Sequence, residues 1–148
     1  MGAALFGLME RVHGHLGLLA VALLLHPVIT LRKRRLLTTW MVRSADLAAL
    51  LLATSFALGW WIYPTYRTRV KPGLLADALP VAMRFESKEH LAFLALALAV
   101  GGAVTLRRAG AEPEGRRLAW VLLLGAFVCA ATTGALGVFV ASIAQPGW

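Results

Sequence analysis

The sequence holds one cysteine, Cys129, and only seven acidic residues against fifteen basic ones. A lone cysteine excludes an intrachain disulfide, a Cys-pair zinc site and a thiol relay within the chain. Its place in the middle of the last apolar block reads as a small packed side chain. No glycine-rich phosphate loop, His-Glu-x-x-His motif or Ser-His-Asp arrangement is present, which argues against phosphoryl transfer and hydrolysis. Charge itself is missing over long distances. Asp, Glu, Lys and Arg are absent from 20 residues between Arg11 and Arg32, 20 between Asp46 and Arg67, 17 between Glu89 and Arg107, and all of 118–148.

Those gaps have the length of membrane spans. A hydrocarbon core needs about 20 apolar helical residues, with about 17 as the minimum. With 59% apolar residues and a mean hydropathy of +0.74, the chain exceeds the soluble range, where about half the residues are apolar. The blocks are rich in Leu and Ala and lack period-two alternation, so helices rather than strands follow. The expected fold is all-α. It is a single integral membrane four-helix bundle with helices over about 12–31, 45–63, 88–106 and 118–144 and both termini on the same side. The first block reads as a span rather than a cleaved leader, because its basic cluster follows the apolar run.

Trp60, Trp61, Tyr63 and Tyr66 mark a membrane–water boundary. Beyond them, 66–87 forms the long outer loop. Lys71-Pro72-Gly73 makes a turn there, and an apolar series from Leu74 to Phe85 suits a short interfacial helix interrupted at Pro80 and able to cap the bundle mouth. Small residues at Ala126, Ala130 and Gly134, with Gly137 near the same line, and the Gly101-Gly102 pair allow close approach of a helix or a flat ligand. The loops at one end carry nine bases, among them Arg32, Lys33, Arg34, Arg35 and Arg43; the opposite face carries six. Positive-inside counting therefore places both termini outside the cytoplasm of a bacterial-type inner membrane. The net charge of +8 is explained by this topology, and no nucleic-acid partner is expected.

Ionisable residues inside or at the edge of a span are functional candidates by default. His13 and His15 open helix one, His26 lies in its inner half, and His90 opens helix three. Helices one and three begin at the same face, so His15 and His90 lie at similar depth and face each other if the helices adjoin. His15 and His26, 11 residues apart, share a face at about 16 Å separation along the axis. His13 and His15 point about 200° apart.

Three arrangements follow. In the first, His15 and His90 are the axial iron ligands of one haem b, with Arg67 and Arg69 (and Lys71) placed to pair with its propionates. In the second, His13 or His15 joins His90 and one of Glu10, Glu86 and Glu89 around a non-haem Fe, Cu or Zn. Glu10 and His13, like Glu86 and His90, are spaced to share a helical face. In the third, the histidines are interfacial polar groups of an accessory structural subunit, either a homo-oligomer or part of a larger complex. His26 reads as a partner of Asp46 near the inner boundary, with ligation as its alternative.

With His15, His26 and His90 so placed, the chain resembles the small four-helix membrane b-type cytochromes, including the copper-resistance-D-like haem-binding membrane proteins. The resemblance covers the four-helix plan and the histidines at helix starts. It implies haem b and electron transport, with a quinone or a redox protein as partner. Because no second histidine lies at the depth of His26, it implies one haem near the outer face rather than a pair across the membrane.

Overall fold

A computed structural model describes residues 2–33, 37–110 and 112–144. Arg34 and Arg35 of the basic loop and the Pro146-Gly147 end lie outside the described residues. The elements are α1 (Ala3–Arg32), α2 (Thr39–Arg69), α3 (Lys71–Asp77), α4 (Leu79–Ala109) and α5 (Pro113–Ala144). Four of them are long and apolar enough to cross a membrane. The expected all-α four-helix membrane bundle is what forms, with α1 beginning and α5 ending at the same end.

The helices run further than the hydropathy blocks. A 31-residue helix is about 46 Å long, against about 30 Å of hydrocarbon. The excess lies mainly at the end where α1 begins, the outer end of the expected topology and so labelled below, and absorbs most of the expected loop over 66–87. There α2 continues to Arg69, α3 forms a single short helix, and α4 starts at Leu79 with Pro80 in its first turn. Proline is tolerated there because first-turn N–H groups have no intrahelical acceptor. The break therefore falls at Ala78, two residues before the proline. Hydropathy registers only the lipid-buried part of each helix, and charged residues such as Arg67 and Arg84 extend it into water.

Short connections make consecutive helices neighbours. α1 packs on α2, α2 on α4, α4 on α5, and α5 closes the ring on α1. α1 and α4 therefore lie diagonally across the bundle. Each long helix buries a seam with spacings of three and four. It runs through Ala20 and Leu24 in α1; Met41, Ala45, Ala48, Ser55, Ile62 and Tyr66 in α2; Ala95, Ala99, Gly102 and Leu106 in α4; and Ala119, Leu123, Ala126 and Ala130 in α5. Such a seam keeps one face toward the partners in a closely packed bundle. Its small residues matter because lipid offers no hydrophobic drive, so helices associate by close packing.

Two cores result. The larger centres on Leu24, Leu106 and Leu123 in the span. The smaller lies outside it, where Tyr66, Leu74, Val81, Ala82 and Val140 cluster and α3 caps the outer end. Lys71 at the start of α3 donates to Glu86 of α4 at 2.9 Å. That hydrogen bond holds the Lys71 ammonium above its ordinary pKa. While Glu86 is ionised, its small stabilisation is complete below the ordinary lysine value near 10.5 and fades as pH rises through the raised value. At the inner end, Trp120 Nε1 of α5 donates to the Val28 carbonyl of α1 at 3.0 Å, and Arg107 of α4 pairs with Asp46 of α2 at 2.8 Å. Gly110 ends α4 with φ +51°, a conformation that favours glycine.

Among the described glycines the tightest contact with another helix is at Gly102, where an added Cβ would lie 2.7 Å from Leu123 Cγ and 3.2 Å from its backbone N. At neighbouring Gly101 the nearest atom outside its own helix is Leu122 Cδ1, at an ordinary 3.9 Å. Gly102→Ala is accordingly expected to destabilise the detergent-solubilised protein by about 1–3 kcal/mol, and Gly101→Ala to have little effect. Unfolding in mixed micelles measures both, and equal effects would contradict this packing.

Candidate functional site

The seam places two polar residues in the bundle that its apolar neighbours do not lead one to expect. Continuing from Leu24 and Ala20 through Gly17 brings α1 to His13. Continuing from Gly102 and Ala95 at intervals of seven brings α4 to Lys88. Lys88 lies 19 residues from Arg107, roughly 28 Å along the helix, so it sits at the far hydrocarbon boundary; Ser55, which holds His13, lies nine residues from Asp46, about 14 Å and nearer mid-span.

His13 is half-buried against α2. Its Nδ1 lies 2.7 Å from the Ser55 carbonyl, which can only accept, so Nδ1 carries the proton and donates. Ser55 Oγ returns a hydrogen bond to the His13 carbonyl at 3.0 Å. Gly59, one turn above Ser55, leaves room for the ring: an added Cβ would lie 3.0 Å from His13 Cε1. Lys88 crosses toward α5, its ammonium 3.4 Å from where a Cβ on Gly137 would be and 5.3 Å from the Phe85 ring centroid. Among the described residues it makes no hydrogen bond or ion pair; Glu10 and Glu89 are the acids that act on its charge. The phenol of Tyr66, in α2's outer extension, stacks on Phe85 at 4.1 Å, and its buried hydroxyl has no partner among the described residues. An unpaired buried hydroxyl costs about 1–3 kcal/mol.

The expected ligand pair is arranged differently. His15 is exposed and donates Nδ1–H to the Arg11 carbonyl of its own helix at 2.7 Å. His90 is exposed and does the same toward the Glu86 carbonyl at 2.9 Å. Both rings therefore lie on the outer surfaces of helices that face each other only across the diagonal. A bis-histidine haem needs two rings on opposite sides of one plane, and this geometry does not fit a haem held within one chain. Nε2 of both rings has no partner among the described residues, and it is the nitrogen that a carbonyl-anchored histidine offers to a metal.

The other candidates are also dispersed. Arg67 and Arg69 are exposed on the last turn of α2 and make no ion pair among the described residues. Glu86 is committed to Lys71, Glu10 is exposed, and Glu89 is half-buried. No group of three or more His, Cys, Asp or Glu side chains able to hold a metal ion occurs among the described residues. His26 does not bond Asp46, which is taken by Arg107. Its Nδ1 meets Ser44 Oγ at 2.9 Å while Ser44 gives its own proton to the Met41 carbonyl, so His26 is the donor. Ser44 precedes Asp46 by two residues, about 200° around α2, and only Ser44 lies on the buried seam. The edge of Trp40 packs against the His26 ring at 6.3 Å.

The small residues divide similarly. Ala126 and Ala130 pack inside the bundle, whereas Gly134 is exposed to open space. The buried polar residues among those described are Ser44, near one boundary, and Ser55, 11 residues or about 16 Å further along α2 and near mid-span.

Gly59→Ala is expected to push the His13 ring off Ser55, since its Cβ would lie 3.3 Å from Nδ1. In nitrogen-15 histidine spectra the His13 Nδ1–H signal should move while those of His15, His26 and His90 stay; an unmoved His13 signal contradicts the contact. Comparison of the chain with protein-family models, curated proteins and solved structures yields no match.

Proposed function

We propose that this protein is an accessory subunit of a membrane complex, a four-helix module that offers groups at its outer boundary to another molecule in the bilayer. The observation that carries this reading is the placement of His15 and His90. They sit on diagonal helices, turned outward, each with Nδ1 anchored to a carbonyl and Nε2 without a partner among the described residues. Groups so fixed serve a contact made from outside the bundle. Their proposed setting is a bacterial-type inner membrane, with the termini outside the cytoplasm, as the distribution of basic residues suggests.

A second reading keeps the redox role expected from the resemblance. Anchoring one ring nitrogen on a carbonyl is how proteins orient metal-bound histidines. In that reading a haem b, or a non-haem iron, copper or zinc ion, takes one histidine from this chain and its remaining ligands from a second copy or a redox protein. Arg67 and Arg69 then lie free at the same face for haem propionates. A quinone is the small-molecule partner consistent with such a role.

Two measurements separate these readings. Mildly solubilised native membranes should give an assembly larger than the 15.9 kDa chain on native electrophoresis, weakened in the His15→Ala, His90→Ala double variant. The same chain, purified alone after haem-supplied expression, should show no Soret band. A monomer in native membranes contradicts the accessory reading. A stoichiometric Soret band from the isolated monomer, lost in each single variant, would establish the intrachain haem instead. A band present only in the assembly supports the second reading.

A further inference from the structure

The basic end of the bundle carries a groove of about 530 Å³ along the outward side of α2, to which Leu23 of α1 and Arg107 of α4 also contribute. Its chemistry changes along its length. At the boundary lie Trp40, Arg43 and the Arg107–Asp46 pair. Leu47 and Leu50 follow at about 6 and 10 Å deeper into the span than Arg43, with Leu23 completing the apolar wall. Leu47 and Leu50 are 47% and 61% exposed, so this wall is open to the acyl-chain region.

The polar end has unused donors. Arg43 is exposed and makes no ion pair among the described residues. Arg107 gives only its Nε to Asp46, which leaves both terminal nitrogens to donate, in the fork geometry suited to phosphate oxygens. Trp40 is 60% exposed and its indole N–H has no partner among the described residues, the position at which tryptophan bridges headgroup and hydrocarbon. Ser44 has already spent its proton on Met41. Two guanidinium groups against one carboxylate leave the groove with an excess positive charge.

We propose that this groove binds one anionic phospholipid. Its phosphate lies between Arg43 and the terminal nitrogens of Arg107, Trp40 lies beside the ester region, and one acyl chain follows Leu23, Leu47 and Leu50. A soluble phosphate would use the arginines and leave the apolar wall unfilled. A zwitterionic lipid would bring a second positive charge to a site whose only acid is already paired. Basic pockets between transmembrane helices suit anionic headgroups for these reasons. The site is independent of the outer histidines.

Native mass spectrometry of the detergent-purified full chain, titrated separately with phosphatidylglycerol, phosphatidylcholine and glycerol 1-phosphate, tests it. Phosphatidylglycerol should bind one per chain and be retained in preference to phosphatidylcholine, and glycerol 1-phosphate should not bind measurably. Arg43→Gln should weaken phosphatidylglycerol about tenfold, as expected for loss of one charged hydrogen bond. Asp46→Asn, which releases Arg107, should strengthen it. Arg32→Gln, removing an exposed base at the same boundary outside the groove, should leave it unchanged. Equal binding of the two lipids, equal loss in Arg32→Gln and Arg43→Gln, or glycerol 1-phosphate binding as tightly as the lipid would overturn the proposal. Arg43 and Arg32 are exposed, so both variants should retain the helical spectrum against which these losses are read.

Discussion

In hydrocarbon no water is available to satisfy a peptide N–H or carbonyl, so each segment that crosses must bond its own backbone. That constraint accounts for the four long helices, and the lack of hydrophobic drive between helices in lipid accounts for their small-residue seams. Apolar outer faces such as Leu18, Leu50, Phe93 and Val128 are spent on lipid. Cohesion is left to the interior, where Gly102 fits against Leu123 and Ala45, Ala99 and Ala126 are fully buried. Polar groups inside the span find partners close by or reach its edge. His13 finds the Ser55 carbonyl, His26 finds Ser44, and Lys88 reaches the layer where the bilayer gives way to headgroups.

Connectivity then decides where the chemistry falls. The connections are short, including α3, and so each helix is set beside its successor in a ring. Helices α1 and α4, which carry the outer histidines, are necessarily opposite one another. Residues on opposite helices can meet only through the centre of the bundle. On α1 the central position belongs to His13, and on α4 to Lys88. His15 and His90, each two residues away from a seam position, are turned outward by about 200° of helix. The same rotation separates Ser44 from Asp46 on α2, which is why one bonds His26 and the other Arg107.

The architecture was legible because charge-free length is a direct consequence of the bilayer. Helix ends are less so, since Arg67 and Glu89 end a hydropathy block without ending a helix. For the site, residue type and depth are legible, while direction depends on which helix face turns inward. The signal was present: the small-residue spacing from Leu24 through Ala20 and Gly17 leads to His13, and that from Gly102 through Ala95 leads to Lys88. Residue type alone singles out His15 and His90 as ligands and does not single out Lys88. Tyr66, expected at a membrane–water boundary, is buried against Phe85 because the helices continue past the lipid boundary. That extension leaves no mark in hydropathy.

The central claim is that His15 and His90 do not share a centre within one chain, and disulfide trapping tests it most directly. In a Cys129→Ser background, the pair Gly17→Cys and Ser55→Cys, where a Cβ on Gly17 would lie 3.5 Å from Ser55 Oγ, should form an intramolecular disulfide under mild oxidation in membranes. The pair His15→Cys and His90→Cys should not. Rapid intramolecular crosslinking of the 15/90 pair, at a rate matching 17/55, would contradict the arrangement and return the two histidines to a common site.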